Sequence, residues 1–148
     1  MKKSFLIFFS IVTIVSLIAF SMQFVNAVPP KVFLSPSDYD TGLTYSQAFK
    51  QKKPMAVNFY VDWCHYCQKF APTLEKIRQQ YKSKMNVVLV KADDPKNKKL
   101  VEDFGISGYP SFYLVSPKND NRVFINQALY ADLAKLKKEI DRFLKVNK

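Results

Sequence analysis

The sequence predicts an α/β fold in which helices cover both faces of a mixed β-sheet. Three observations lead to this prediction. Short strand-like runs alternate along the chain with segments whose apolar residues recur at helical spacing. Two strand-like runs near the C-terminus flank a turn, which is typical of a hairpin. The chain has 148 residues, of which 48% are hydrophobic and 24% charged, and this suits one globular domain.

The N-terminal segment stands apart from this fold. Two lysines precede a long apolar stretch, and the next charge is Lys31. The sequence "VNA", ending at Ala27, resembles a signal-peptidase site, so we predict a secretory signal in residues 1–27 and a mature domain in 28–148. The apolar stretch 5–25 approaches the about 20 residues that cross a bilayer, so an uncleaved membrane anchor is the alternative. Both alternatives place the domain in the periplasm or on the extracytoplasmic face of the membrane.

The first half of the domain is predicted to contain two strands and two helices. "KVFL" (31–34) predicts a first strand, and "LTYSQAFKQ" (43–51) predicts a first helix. "MAVNFYV" (55–61) is rich in β-type residues and predicts a buried strand. From Cys67 onward, apolar residues at helical spacing predict the second helix: Phe70, Ala71, Leu74, Ile77 and Tyr81.

The second half continues the alternation. "NVVLVKA" (86–92) predicts another buried strand. "DDPKNKKLVEDFG" (93–105) predicts a helix with Asp94 as its N-cap and Gly105 as its end. "SFYLVS" and "RVFINQ" predict a hairpin around the turn "PKNDN". A closing amphipathic helix presents one apolar face: Leu133, Leu136, Ile140, Phe143 and Leu144.

The two cysteines, Cys64 and Cys67, fall between the strand 55–61 and the helix after it. A disulfide between residues so close in sequence restricts the unfolded chain little, so a purely structural bond explains them poorly. A tetrahedral zinc site needs four ligands, whereas this chain offers the two cysteines and His65. On a helix His65 would point about 100° away from Cys64. We therefore assign no metal site, and metal delivery stays an alternative.

The same position favours a redox role. At the N-terminus of a helix, unpaired backbone N–H groups and the helix dipole would stabilise a thiolate at Cys64. Cys67, one turn further along, is expected to be more shielded. His65, when charged, would favour the thiolate of Cys64, and an inert exposed side chain is the alternative.

With these elements in place, residues 43–146 resemble the thioredoxin family. "FYVDWCHYCQKFAP" resembles the family's W-C-x-x-C stretch, and "FGISGYP" resembles its loop that ends in a cis-proline. The resemblance implies a thioredoxin fold and catalysis by Cys64 and Cys67, with Pro110 packed against the two sulfurs. It also implies no cofactor besides the redox-active cysteine pair. Lys91 falls where the family often has a lysine near the active site.

Two departures from the family pattern bear on mechanism. The family usually buries an Asp or Glu where this chain has Asn58, and an amide cannot accept a proton at neutral pH. Water or Lys91 would then take the proton of Cys67, although Lys91 could equally be a solvated lysine at a strand end. The pair His65 and Tyr66 is neither the Gly-Pro of thioredoxin nor the Gly-His of the disulfide isomerases, whereas a Tyr before the second cysteine is similar to glutaredoxins. The redox direction therefore stays open.

Aromatic residues are expected to form the substrate contact. Trp63 and Tyr109 flank the predicted sulfurs, and with Pro110 they would shape an apolar rim for substrate polypeptides; ordinary half-buried aromatics are the alternative. The sequence thus favours an exported thiol-disulfide oxidoreductase that reduces protein or peptide disulfides, with a membrane electron-donor protein as its partner. The alternatives are a disulfide oxidase or isomerase of the same fold, and a non-catalytic binding or metal-delivery domain.

The formal net charge of +11 does not by itself indicate that the protein binds nucleic acid. The lysines are spread beside the predicted helices, and neither an Arg-rich nor an aromatic RNA-binding motif accompanies them. We therefore expect no nucleic-acid partner and a solvated basic surface. Attraction of acidic substrates or anionic lipid headgroups is the alternative role for this charge.

Overall fold

The computed structural model describes residues 35–147. The predicted signal or anchor (1–27) and the predicted strand 31–34 lie outside the described residues. The described elements are, in chain order, a 3-10 helix Pro36–Tyr39, α1 Tyr45–Lys50, β1 Met55–Tyr60, α2 His65–Tyr81, β2 Asn86–Lys91, a 3-10 helix Pro95–Asn97, α3 Lys98–Asp103, β3 Ser111–Ser116, β4 Asn121–Ile125, a 3-10 helix Gln127–Leu129 and α4 Leu133–Val146. Within residues 35–147, every helix is too short or too polar to cross a membrane.

The four strands form one mixed sheet in the order β2-β1-β3-β4. Strand β1 lies at the centre, parallel to β2, with Asn58 opposite Leu89. It is antiparallel to β3, with Asn58 opposite Phe112, and β3 and β4 form the predicted antiparallel hairpin. Because β1 and β2 are parallel, their carboxyl ends meet at one edge of the sheet. The segment that follows β1 and carries the cysteines therefore begins beside Lys91, the last residue of β2.

Each face of the sheet packs against its own helices, which confirms the predicted layers. On one face Ala56 and Tyr60 pack with buried residues of α2 and α4. On the other face Val57 and Phe59 pack with Ala48 of α1 and with the segment around α3. Neighbouring residues of a strand point to opposite faces, so β1 is buried on both sides.

The helix predicted for residues 93–105 differs in detail. Asp94 is an N-cap, since its carboxylate accepts the Lys96 N–H at 3.0 Å, but the turn that it caps is the 3-10 helix. The chain then continues as α3, which is only six residues long. Gly105 follows its end with φ of +61°, a left-handed conformation that glycine adopts without strain.

Candidate functional site

The cysteines lie at the junction between β1 and α2. Cys64 is the N-cap of α2, and its Sγ accepts the backbone N–H of Cys67 at 3.2 Å. The backbone N–H of Cys64 in turn donates to the carbonyl of Val61 at 3.2 Å. The sulfur of Cys64 thus lies where unpaired N–H groups and the positive end of the helix dipole stabilise negative charge.

The two sulfurs have different surroundings. Both cysteines are free thiols, and Cys64 is 8% exposed whereas Cys67 is 1% exposed. Burial, together with the hydrogen bond to Cys64, raises the pKa of the Cys67 thiol to about 12. At neutral pH Cys67 therefore keeps its proton and needs a base before it can act as a nucleophile. Among the described residues, no group of three or more His, Cys, Asp or Glu side chains is arranged to hold a metal ion.

The loop before β3 lies against Cys64. The Tyr109–Pro110 peptide is cis, as the "GYP" sequence predicts. The thiol of Cys64 donates to the carbonyl oxygen of Tyr109, the residue before Pro110, at 3.6 Å. The side-chain amide of Gln127 donates to the Pro110 carbonyl at 3.0 Å and holds the loop from its other side.

Exposed aromatic residues neighbour the two cysteines in the chain. Trp63 is 74% exposed and Tyr66 is 72% exposed, which is unusual for such large side chains. The Trp63 ring meets that of Tyr109 edge to face, with 6.4 Å between centroids. His65 is exposed in the first turn of α2, and its ring lies 6.3 Å from that of Tyr66. Trp63 is therefore a surface residue next to Cys64 in the chain and is not part of the core.

Asn58 is 2% exposed in the middle of β1. Strand alternation puts it on the same face as Ala56 and Tyr60, which is the face that packs against α2 and Cys67. Within residues 35–147 its Oδ1 has no hydrogen-bond partner. Buried polar atoms are nearly always paired, so an unpaired one is unusual. The Asn58 Oδ1 is thus a hydrogen-bond acceptor without a partner, on the side of the sheet that faces the buried thiol.

Asp62 is a residue of this site that the sequence analysis missed. Its carboxylate accepts from Lys91 Nζ at 2.6 Å, from the backbone N–H and hydroxyl of Ser37 at 3.1 and 2.8 Å, and from the hydroxyl of Ser35. Partial burial by itself would raise the pKa of Asp62, but the hydrogen bonds from Lys91, Ser35 and Ser37 outweigh it and hold the pKa well below its usual range. One sequence signal could have found this pair: Asp62 follows strand β1, and Lys91 is the last residue of the parallel strand β2.

The ammonium group of Lys91 is bound to Asp62, which precedes Cys64 by two residues. This hydrogen bond raises the pKa of Lys91 above its ordinary value. The side chain stays protonated at neutral pH and is a poor acceptor for the proton of Cys67.

A groove of about 530 Å³ lies beside α2, and Tyr66, which stands between the two cysteines in sequence, lines one part of it. We call it the α2 groove, and its principal lining residues are Tyr66, Lys69, Phe70, Pro110, Gln127 and Tyr130. The rings of Phe70 and Tyr130 stack at 4.3 Å with an angle of 14° between their planes, which gives the groove an apolar floor.

This chain is similar in sequence to known proteins. The family described as Thioredoxin matches residues 37–142. A stretch of 72 residues is 42% identical to the thioredoxin-like protein HCF164, chloroplastic, of Arabidopsis thaliana, and covers 49% of this chain and 28% of that protein. A stretch of 92 residues is 33% identical to the protein disulfide-isomerase of Hordeum vulgare, and covers 62% and 17% of the two chains. The chain thus matches less than a third of the length of either relative.

Solved structures share the architecture. A thioredoxin from Malassezia sympodialis is 25% identical, with a TM-score of 0.55, and the match covers 68% of this chain and 86% of that one. The Trx4 domain of ERdj5 is 24% identical, with a TM-score of 0.56 and coverage of 76% and 94%. These likenesses confirm the predicted fold.

Proposed function

The chain belongs to the thioredoxin family, and on that basis we propose that it is an exported thiol-disulfide oxidoreductase that reduces disulfides in protein or peptide substrates. The observation that supports this most is the difference between the two sulfurs. Cys64 caps a helix and accepts an N–H, whereas Cys67 is buried with a raised pKa. One sulfur is suited to attack a substrate, and the other is suited to wait as a thiol and resolve the product.

The reaction proceeds in two exchanges. The thiolate of Cys64 attacks one substrate sulfur, so that a Cys64–substrate disulfide forms, the substrate disulfide breaks, and the other substrate sulfur leaves and takes up a proton. Cys67 then loses its proton and attacks Cys64 Sγ. The Cys64–Cys67 disulfide forms, and the second substrate sulfur leaves as a thiol. Two electrons have passed from the cysteine pair to the substrate.

The surrounding residues have supporting roles in this scheme. Trp63 and Tyr109 provide the apolar contact for the substrate chain, and the loop at Pro110 keeps the Tyr109 carbonyl against Cys64. No cofactor besides the cysteine pair takes part. The oxidised pair must be reduced again, and we assign this to a membrane electron-donor protein with its own dithiol.

Export rests on the N-terminal sequence of this chain. Residues 1–27 have the composition of a secretory signal, with retention of the apolar stretch 5–25 as an anchor being the alternative. The name of the relative HCF164 places that protein in the chloroplast, and it assigns no compartment to this chain.

The activity is tested by turnover of a protein disulfide. We expect the purified domain to accelerate the reduction of insulin by dithiothreitol, and the Cys64→Ser variant to lose this acceleration. Precipitation of the insulin B chain gives the rate. A wild-type rate equal to that of dithiothreitol alone would show that the chain is not such an enzyme.

A disulfide oxidase or isomerase is the second candidate, because a protein disulfide-isomerase is among the relatives. The reduction potential separates the two. Equilibration with glutathione buffers should give a reduction potential of about −270 mV for a reductase of the thioredoxin type, and of about −180 to −120 mV for an isomerase or oxidase.

A further inference from the structure

The α2 groove carries a single charge. Of the residues that line it in the described part of the chain, Lys69 is the only one of the Lys, Arg, Asp and Glu types. Lys69 is exposed in the second turn of α2, two residues after Cys67. Within residues 35–147, no carboxylate lies within ion-pairing distance of its ammonium group.

The groove is placed to receive the chain of a bound substrate. Tyr66, which stands between the two cysteines, lines one part of it, and Pro110 lines another. The Tyr109 carbonyl lies 3.6 Å from Cys64 Sγ. A polypeptide joined to Cys64 through a disulfide therefore has its neighbouring residues at the mouth of the groove. Its volume lies within the range of pockets that hold small ligands, which leaves room for substrate side chains.

Two polar side chains of the groove, Tyr130 and Gln127, are already engaged within the chain. The hydroxyl of Tyr130 donates to the Ile125 carbonyl at 3.1 Å and accepts the N–H of Phe112 at 3.0 Å. The amide nitrogen of Gln127 donates to the Pro110 carbonyl. Among the side chains that line the groove in residues 35–147, Lys69 is therefore the one that can form an ion pair with a charge on the substrate.

Nearby acids of the chain have other partners. Asp132 follows Ala131, which also lines the groove. Its carboxylate pairs with Lys135 Nζ at 3.2 Å and accepts the Lys135 N–H at 3.0 Å as the N-cap of α4. Glu75, further along α2, pairs with Arg78 at 2.8 Å. The free ammonium group of Lys69 is thus complementary to an acid that comes from outside the chain.

We propose that Lys69 makes the α2 groove selective for disulfide substrates that carry an acidic side chain on the segment next to the attacked cysteine. This inference rests on the proposed reductase function and adds the substrate class to it. An excess of positive charge over the whole chain acts in the same direction, because it repels basic substrates.

The test compares three disulfide peptides that differ at one position beside the attacked cysteine, which is Glu, Gln or Lys. The reduced domain is mixed with each peptide, and its oxidation is followed by the fluorescence of Trp63, the only tryptophan of the chain. The time course gives the second-order rate constant for each peptide. We expect the Glu peptide to react about two- to fivefold faster than the Gln peptide, as an exposed ion pair allows, and the Lys peptide to react more slowly. The preference should shrink at high salt.

Two variants separate Lys69 from the general charge. Lys69→Glu should invert the ratio of the Glu to the Lys peptide. Lys118→Glu makes the same change of net charge in the exposed β3–β4 turn, at the end of the sheet opposite to the cysteines, and should keep the wild-type ratio. Equal rates with all three peptides, or an equal effect of both variants, would overturn the role of Lys69 and leave the reductase function standing. Failure of wild type to reduce any of the peptides, or insulin, would overturn both.

Discussion

The proton of Cys67 is the chemical difficulty of this site. The thiol is buried and its pKa is raised to about 12, so the resolving attack on Cys64 needs an acceptor for that proton. Lys91 is bound to Asp62 and its pKa is raised, so it carries its own proton at neutral pH. The Asn58 side chain lies on the face of β1 that packs against α2 and Cys67, but an amide cannot ionise. The arrangement favours water as the acceptor, with the unpaired Oδ1 of Asn58 available to hold it.

Replacement of Asn58 with Asp should supply the missing base. A positioned base is worth about 10²- to 10⁴-fold in proton transfer, and we expect a gain below that range because water can accept the proton in the wild-type protein. The variant should also be less stable, since a carboxylate in the buried strand is desolvated. Single-turnover reduction of a model disulfide between pH 6 and 9 measures the gain, and urea unfolding measures the loss of stability.

Asn119→Asp, in the exposed β3–β4 turn at the end of the sheet opposite to the cysteines, is the matched control for the rate and should leave it unchanged. If Asn58→Asp left the rate and its pH dependence at wild-type values, the side chain at position 58 would have no influence on Cys67.

The sequence predicted site residues whose environment depends on neighbours in the chain, and it missed one whose partners are distant in sequence. The position of Asn58 in a buried strand follows from the local run "MAVNFYV", and the helix N-cap at Cys64 follows from the apolar spacing after it. Asp62 could not be recognised in this way. Its partners Ser37 and Lys91 lie 25 and 29 positions away in sequence, and they meet only after the strands have paired.

Asp62 joins three elements of the fold. Its hydrogen bonds connect the segment after β1 with the end of β2 and with the 3-10 helix Pro36–Tyr39. The side-chain amide of Gln68 also donates to the Asp62 carbonyl at 2.8 Å, which ties the first turns of α2 to the same point. The segment that carries Trp63 and Cys64 is thereby held from both sides.

The Asp62→Asn variant should be less stable at pH 7, by about 1 kcal/mol once exposure of the carboxylate to solvent is taken into account. The pKa of Asp62 is lower in the folded protein than its ordinary value of 3.8. The carboxylate therefore contributes fully to folding stability above pH 3.8, and this contribution is lost as the pH falls below 3.8 towards the folded-state pKa. The difference between variant and wild type should therefore narrow from pH 7 to pH 3. Urea unfolding at the two pH values measures it.

Asp38→Asn alters an exposed acid of the same 3-10 helix and serves as the control, with an expected change close to zero. A stability difference between Asp62→Asn and wild type that stayed constant down to pH 3 would contradict the assignment of the lowered pKa to this carboxylate.

Local patterns predicted most elements. Strand β1, helix α2, the β3–β4 hairpin and α4 were predicted from apolar spacing and turn residues, and the structure confirms them. The helix after Asp94 was predicted as one element but divides into a 3-10 turn and a short α3. Spacing of apolar residues separates α from 3-10 geometry poorly over so few residues.

The order of the strands in the sheet was not contained in any local pattern. The alternation of elements predicted a mixed sheet, but the central place of β1 between β2 and β3 depends on contacts between distant segments. That place decides the site, because it brings the end of β1, the end of β2 and the loop before β3 to the same edge.

The location of the whole molecule is a separate prediction. If the N-terminal segment is a signal, the mature chain should begin at Val28; if it is an anchor, full-length protein should be found in the membrane with residues 31–148 outside. Fractionation followed by N-terminal sequencing distinguishes the two. Full-length protein in the soluble cytoplasmic fraction would exclude both.

The assignment of Cys64 as the attacking sulfur and Cys67 as the resolving sulfur is tested most directly by mass spectrometry of trapped complexes. The Cys67→Ala variant is mixed with a disulfide-bonded substrate protein at neutral pH, with Cys64→Ala as its counterpart. Our account predicts that Cys67→Ala accumulates a covalent complex through Cys64 that dithiothreitol releases, because the second exchange cannot occur. It predicts no complex for Cys64→Ala, since the remaining thiol is buried and protonated. A complex that forms on Cys67 as readily as on Cys64, or on neither, would contradict it.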